Sequence, residues 1–211
     1  MKTRIAVPLL AILLAGTSMA AIGAGPAGNA MRINPAVTVK QAFAYVPLST
    51  EEANTLRWMR EEEKLARDVY LAMYDIWQAP EFRNIARSEQ RHFEAIGAKL
   101  VLFAVADPAL PAAGQFANPE LRSLYASLVE GGSTSYAGAL RAGAMIEDLD
   151  IADLFQAIAE TANPALKLIY NNLVEGSKNH LRAFVGRLEA LGETYEPQYI
   201  DPVLFDAIIG Q

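Results

Sequence analysis

Residues 49–77 read STEEANTLRWMREEEKLARDVYLAMYDIW. Ser49 and Glu52 stand at the spacing of a capping box, in which a hydroxyl and a carboxylate satisfy each other's backbone N–H groups at a helix start. From there to Trp77 the chain holds neither Gly nor Pro. Leu56, Met59, Ala66, Tyr70, Met73 and Trp77 recur in steps of three and four, the period of an apolar seam on one helix face. The stretch predicts a long packed helix, and Glu63 interrupts its seam.

Working outward, Pro80 is placed to open a second helix at its first position. The seam of that helix runs Phe82, Ile85, Ile96, Leu100 and Phe103. Asp107-Pro108, Pro111, Gly114 and Asn118-Pro119 then mark a long irregular crossing, followed by a short helix from Pro119 to Glu130 that Gly131-Gly132 should end. A third long helix starts at Ser135 with Leu140, Ala144, Ile151, Leu154 and Ile158 on one stripe. Asp150 could instead cap a fresh helix there, so continuity past Leu149 is open. The fourth follows Asn163-Pro164 and runs to Leu191, with Leu166, Ile169, Leu173, Phe184 and Leu191 on its stripe and Gly192 as its stop. No segment alternates with the period of a strand, so the expected fold class is all-α. Two helical hairpins joined by a long connection form the topology of a ferritin-like four-helix bundle, with the crossover between helices two and three and a short extra helix. The segment 193–211, aromatic and Pro-interrupted, is expected to dock on the bundle formed by residues 49–192.

Composition narrows the chemistry. The 211 residues include 18 Lys+Arg against 24 Asp+Glu, and 52% are hydrophobic. A net charge of −6 without a basic block argues against nucleic acid as the partner. The chain has no cysteine, which excludes disulfides, thiolate zinc sites, iron–sulfur clusters and cysteine nucleophiles. Any transition metal must rest on carboxylates and two imidazoles.

The first residues look like an address. Lys2 and Arg4 precede the apolar run 5–14, and Ser18-Met19-Ala20 has the small-x-small form of a cleavage site. The apolar run is short for a bilayer span. Residues 1–20 are therefore expected to be a signal peptide and the mature protein to be exported, periplasmic or secreted, with no membrane attachment after cleavage. Residues 21–48, rich in Ala, Gly and Pro, are expected to be a linker or arm.

The residues that break the four seams carry the chemistry. Glu63 interrupts the first, Glu89 and His92 the second, Glu147 the third, and Ser177 and His180 the fourth. Each lies near the middle of its helix. Antiparallel helices of similar length bring their midpoints to one level, so three carboxylates and both imidazoles should converge in one layer. Burying such carboxylates together costs on the order of several kcal/mol per uncompensated charge, which a divalent cation would remove. The order also repeats: Glu63 is followed by Glu89-x-x-His92, and Glu147 by Ser177-x-x-His180. Glu61 and Glu62 read as a solvated face. Tyr70, on the seam, is either a core residue or a donor to a ligand. Lys178 and Arg182 either pair near His180 or face solvent.

These residues carry a resemblance. Glu62-Glu63-Lys64-Leu65-Ala66-Arg67-Asp68-Val69-Tyr70, Ser88-Glu89-Gln90-Arg91-His92, Glu147-Asp148-Leu149-Asp150-Ile151 and Gly176-Ser177-Lys178-Asn179-His180-Leu181-Arg182-Ala183-Phe184 resemble the ferritin-like superfamily of di-iron carboxylate bundles. The likeness is greater to a small exported or archaeal branch of unassigned function, and it covers residues 49–211. Glu63, Glu89, His92, Glu147 and His180 match the superfamily's metal-ligand positions. Ser177 departs from it, since the superfamily has a sixth ligand, Glu, there. Asp150 is the better substitute than Glu175, because Glu147-x-x-Asp150 repeats the i, i+3 spacing.

The resemblance implies iron as the metal and oxidase, ferroxidase or peroxide-scavenging activity. Manganese or zinc would suit the same donors. Two other functions remain open from the residues. One is a buffer or sensor holding one metal through His92, His180 and two glutamates, which Ser177 favours. The other is a metal-free helical interaction domain whose polar layer sets pairing specificity. Self-association is left open as well.

Overall fold

A computed structural model describes residues 47–210. Six helices and no strands occur among the described residues: α1 Thr50–Trp77, α2 Pro80–Leu102, α3 Pro119–Ser133, α4 Tyr136–Glu160, α5 Pro164–Ala190 and α6 Pro202–Ile209. The signal and nearly all of the linker expected over residues 1–48 lie outside the described residues. No described helix is long and apolar enough to cross a membrane.

Local chemistry sets the helix starts. The Ser49–Glu52 capping box is complete in both directions. Pro80 opens α2 without a side-chain cap. Asn118, Ser135 and Asn163 each accept backbone N–H groups at the starts of α3, α4 and α5. Asp150 caps nothing, and α4 runs unbroken through it. Gly192, at φ 77°, follows the end of α5 as its residue type suggested.

One expectation about glycine is corrected, and the tail gains a helix. Gly131 and Gly132 do not end α3, which continues to Ser133. A Cβ on Gly132 would come within 2.5 Å of Met73 Sδ and 3.3 Å of the Ala139 backbone, so glycine there permits a close approach of α3 to its neighbours. Pro202 starts a short helix of eight residues, α6, in the segment read only as a docking tail. Leu191, assigned to the α5 stripe, is half exposed at the helix end.

The turn at residues 78–79 folds α2 back on α1, and α4 and α5 pair in the same way through residues 161–163. α1 also packs on α4, and α2 on α5. The apolar core is split in two. One cluster takes Val69, Tyr70 and Met73 of α1, Phe82 and Ile85 of α2, Leu140 and Ala144 of α4, and Phe184 of α5. The other takes Leu56 and Met59, Ile96 and Leu100, Leu154 and Ala157, and Leu166 and Leu173. Each long helix therefore contributes its two halves to different clusters, with polar residues between them.

Candidate metal centre

The residues that break the four seams meet at the level where the core divides. Glu63, Glu89, Glu147 and His180 are buried, and His92 is nearly so, with 13% of its side chain exposed. They gather as two groups that share Glu89. The first is Glu63, Glu89 and His92; the second is Glu89, Glu147 and His180. Within each group one ligand-type atom per residue lies within 4.8 Å of the others. All five residues expected from the sequence are thus brought together.

Glu89 faces both groups with different oxygens. Its Oε2 lies 2.9 Å from Nδ1 of His92, and its Oε1 lies 2.6 Å from Nδ1 of His180. Glu63 Oε2 is 3.4 Å from His92 Nδ1, and Glu147 Oε2 is 3.5 Å from His180 Nδ1. The two imidazoles lie 5.5 Å apart, tilted by 30°. Close as these atoms are, Nδ1 of both histidines, Oε1 of Glu63 and of Glu89, and Oδ1 of Asp150 have no aligned hydrogen-bond partner. Buried polar groups are ordinarily paired. Here nitrogen and carboxylate oxygen atoms crowd together without well-aligned hydrogen bonds, and such a donor set suits a divalent transition-metal cation.

The surroundings hold the carboxylates in place. Tyr70 donates to Glu147 Oε1 at 2.5 Å, which leaves Oε2 toward His180. Ser177 donates to Asp150 Oδ2 at 2.5 Å and to the Leu173 carbonyl at 3.1 Å. The serine at the departing position therefore orients the carboxylate read as its substitute. A Cβ on Gly176 would come within 2.6 Å of His92 Cε1 and Nε2, so α5 offers a bare backbone where the ring of His92 rests. Glu175 points away and pairs with Lys178, while Arg182 Nε donates to the Ile208 carbonyl. Neither cation serves His180.

Electrostatics follow from this crowding. Burial opposes charge on His92, but the Glu63 and Glu89 carboxylates overcome it and raise its pKa to about 11. Burial likewise opposes charge on His180, and Glu147 and Glu89 raise it to about 10. Burial would raise Glu89, yet the two imidazoles hold it well below the usual carboxylate range. Burial, with Glu147 next, pushes Asp150 up to about 8. Burial and then Asp150 push Glu63 upward, and burial and then Glu89 do the same to Glu147. In the metal-free protein both imidazoles hold protons that partly offset the acidic layer.

The family described as an uncharacterized protein domain (DUF2202) matches residues 52–211. The chain belongs to the DUF2202 family. A relative from Methanocaldococcus jannaschii, named uncharacterized protein MJ0754, is 49% identical over 164 residues, covering 77% of this chain and 89% of the relative. The crystal structure of hypothetical protein MJ0754 from that archaeon is similar, with a TM-score of 0.77 and 48% identity over 79% of this chain and 95% of that one. The DUF2202 match spans all five seam residues.

Several residues of this DUF2202 chain behave otherwise than the sequence suggested. Glu61 and Glu62, read as a solvated face, are 3% and 2% exposed. Glu61 accepts from the backbone N–H groups of Ala117 and Asn118. Glu62 faces inward beside the centre. Their burial follows from packing against the crossover and α4, which no helical period reveals. Gly176 had a usable signal, since it lies four residues before His180 on the same helix.

Proposed function

We propose that the chain is a ferritin-like metal-binding protein, its four long helices forming one bundle around a two-metal centre. Glu63, Glu89, His92, Glu147 and His180 would hold iron, or manganese, for reaction with oxygen or peroxide. The observation that carries this reading is Glu89, whose two oxygens face two different imidazoles. A carboxylate shared by two ligand groups is what neighbouring cations need to offset their mutual repulsion. The metal would supply redox and Lewis-acid chemistry when bound.

The protein's own residues do the rest. Glu89 bridges the groups, and Glu63 and Glu147 close them from α1 and α4. Tyr70 fixes the rotamer of Glu147, and Ser177 that of Asp150. The apolar clusters on either side limit water at the centre and confine reactive species. Both imidazoles must give up a proton to bind a cation through Nδ1, so loading releases protons to solvent. The leader pattern at residues 1–20 supports an exported protein that takes metal ions as its partners outside the cytoplasm.

A second reading is a single-metal buffer or sensor without turnover. Ser177 favours it, because the layer then has one carboxylate fewer on α5, and Asp150 has committed one oxygen to that serine. Elemental analysis after anaerobic loading with Fe(II) and Mn(II), followed by absorption spectra on admitting air, separates the readings. Two metals per chain and a rapid spectral change support the redox centre. One tightly held, spectroscopically unchanging metal favours the buffer or sensor. No bound metal leaves a helical interaction domain.

A further inference from the structure

The five ligand positions leave one buried acid without a role. Glu62 of α1 is 2% exposed, and neither of its carboxylate oxygens has a well-aligned hydrogen-bond partner, though Trp58 and Asp153 lie beside it. It belongs to neither converging group. The charged groups acting on it are Asp153, Asp150 and Glu63, all acidic. Among the described residues no Lys or Arg pairs with Glu62, Asp150 or Asp153. A carboxylate in such surroundings is costly to keep as a structural element, because desolvation and like charge both oppose it.

Of the acids around Glu62, Asp153 is the most exposed. Asp153 of α4 is part-exposed and accepts from Trp58 Nε1 at 3.0 Å. Its carboxyl faces that of Glu62 across the α1–α4 seam. Glu62 also neighbours Asp150, whose Oδ1 is unpartnered and buried, and Glu63, the first ligand position of the centre. Every group offered along this line is an oxygen acceptor. A hydrated divalent cation could exchange water for carboxylate oxygens one step at a time, whereas an anion would be repelled and a neutral molecule would gain little.

We propose that Asp153, Glu62 and Asp150 form the intake route by which a divalent cation reaches the Glu/His centre, an inference that rests on the metal-binding reading above. The positions offer too few convergent ligands to hold the ion, and a conducting site must release what it binds. Trp58 positions Asp153 at the mouth through its indole N–H, and Ser177 holds Asp150 at the inner end with one oxygen free.

The test is the rate of Co(II) uptake by the full-length metal-free protein, followed by stopped-flow absorption, with final stoichiometry by elemental analysis. Glu62→Gln keeps the shape and removes the ionisable carboxyl. It should slow uptake at least tenfold and leave the final cobalt content unchanged. Asp153→Asn should slow uptake about threefold, and Asp153→Lys more strongly, with the wild-type rate falling as salt rises. The two Asp153 variants carry the test if Glu62→Gln fails to fold, since that side chain is part-exposed. Wild-type rates in the variants would overturn the proposal and leave Glu62 and Asp153 as a pair sharing a proton. Loss of cobalt content in Glu62→Gln without a change in rate would also overturn it, making Glu62 a ligand. A wild-type protein that binds no cobalt defeats the metal-binding reading itself, which separates that failure from failure of the route alone.

Discussion

Helix α1 buries charge on two faces, and the two faces are resolved in opposite ways. Toward the crossover, Lys64 pairs with Asp68 at 2.5 Å and donates to the Ala112 carbonyl, Arg67 and Gly114 N–H complete Asp68, and Glu61 receives two backbone N–H groups. Lys64 also lies over the Phe116 ring. Toward α2 and α4, Glu62 and Glu63 meet other carboxylates and keep orphaned oxygens. Both faces are equally dry. Burial of charge is therefore no sign of a site by itself; what marks one is hydrogen-bonding capacity left over after the protein has used its own donors.

The comparison breaks most visibly at Glu89. On the two-metal reading proposed above, Glu89→Ala should remove both metals at once, so that elemental analysis after anaerobic loading returns almost none while circular dichroism still reports a folded helical protein. Retention of both metals would show that the shared carboxylate is incidental. On the opposite face, Lys64→Met should cost about 3–5 kcal/mol in denaturant unfolding, the usual penalty for breaking a buried ion pair. Its metal content should not change. If it lost metal but kept its stability, the division of α1 into a structural and a functional face would be wrong.

Proton linkage gives a third contrast. His92 and His180, raised to about 11 and 10, stabilise the metal-free fold fully below their ordinary value of 6.5, and that contribution is lost as pH climbs through the raised values. Asp150, raised to about 8, adds a penalty that grows between its ordinary 3.8 and 8. Both act in one direction between pH 6.5 and 8, and the histidines continue it to about 10. The melting temperature of the metal-free protein should fall by roughly 5 °C or more over pH 6.5–10. The loaded protein should hold its melting temperature better, since the cation has replaced the protons. Calorimetry in both states measures this directly.

The smallest expected effect divides the centre itself. Gly176→Ala would push a methyl group into the space of the His92 ring. Titration with Co(II) should then show one metal bound about tenfold more weakly and the other, held by Glu147 and His180, unaffected. Equal weakening of both would mean that the two groups act as one site.

Much of this was legible beforehand, for reasons local to the chain. Helix starts are set by side chains within a turn of the cap, so the starts near Ser49, Pro119, Ser135 and Pro164 could be read directly. A polar residue on an apolar stripe is also a local pattern, which is why Glu63, Glu89, His92, Glu147 and His180 could be picked out before any packing was known. Glu61, Glu62, Lys64 and Asp68 could not be sorted this way. A helix with so many polar residues has more than one face that looks wet, and the segment that covers Glu61 and Lys64 lies about fifty residues downstream.

Asp148 makes the same point. It sits beside Glu147, yet its carboxylate accepts from Tyr195 Oη and the backbone N–H groups of Gln198, Tyr199 and Ile200, anchoring the tail. Neighbouring acids on α4 thus serve a candidate metal layer and a structural clamp, and 100° of helix rotation separates the two.

By itself the sequence determined the four long helices, the Ser49 capping box and the five side chains that face inward, because each depends on contacts within a few residues. Only the tertiary structure decided which acids were neutralised and which were left unpaired. That outcome depends on which distant backbone or side-chain donor arrives at each carboxylate, and no local spacing encodes it.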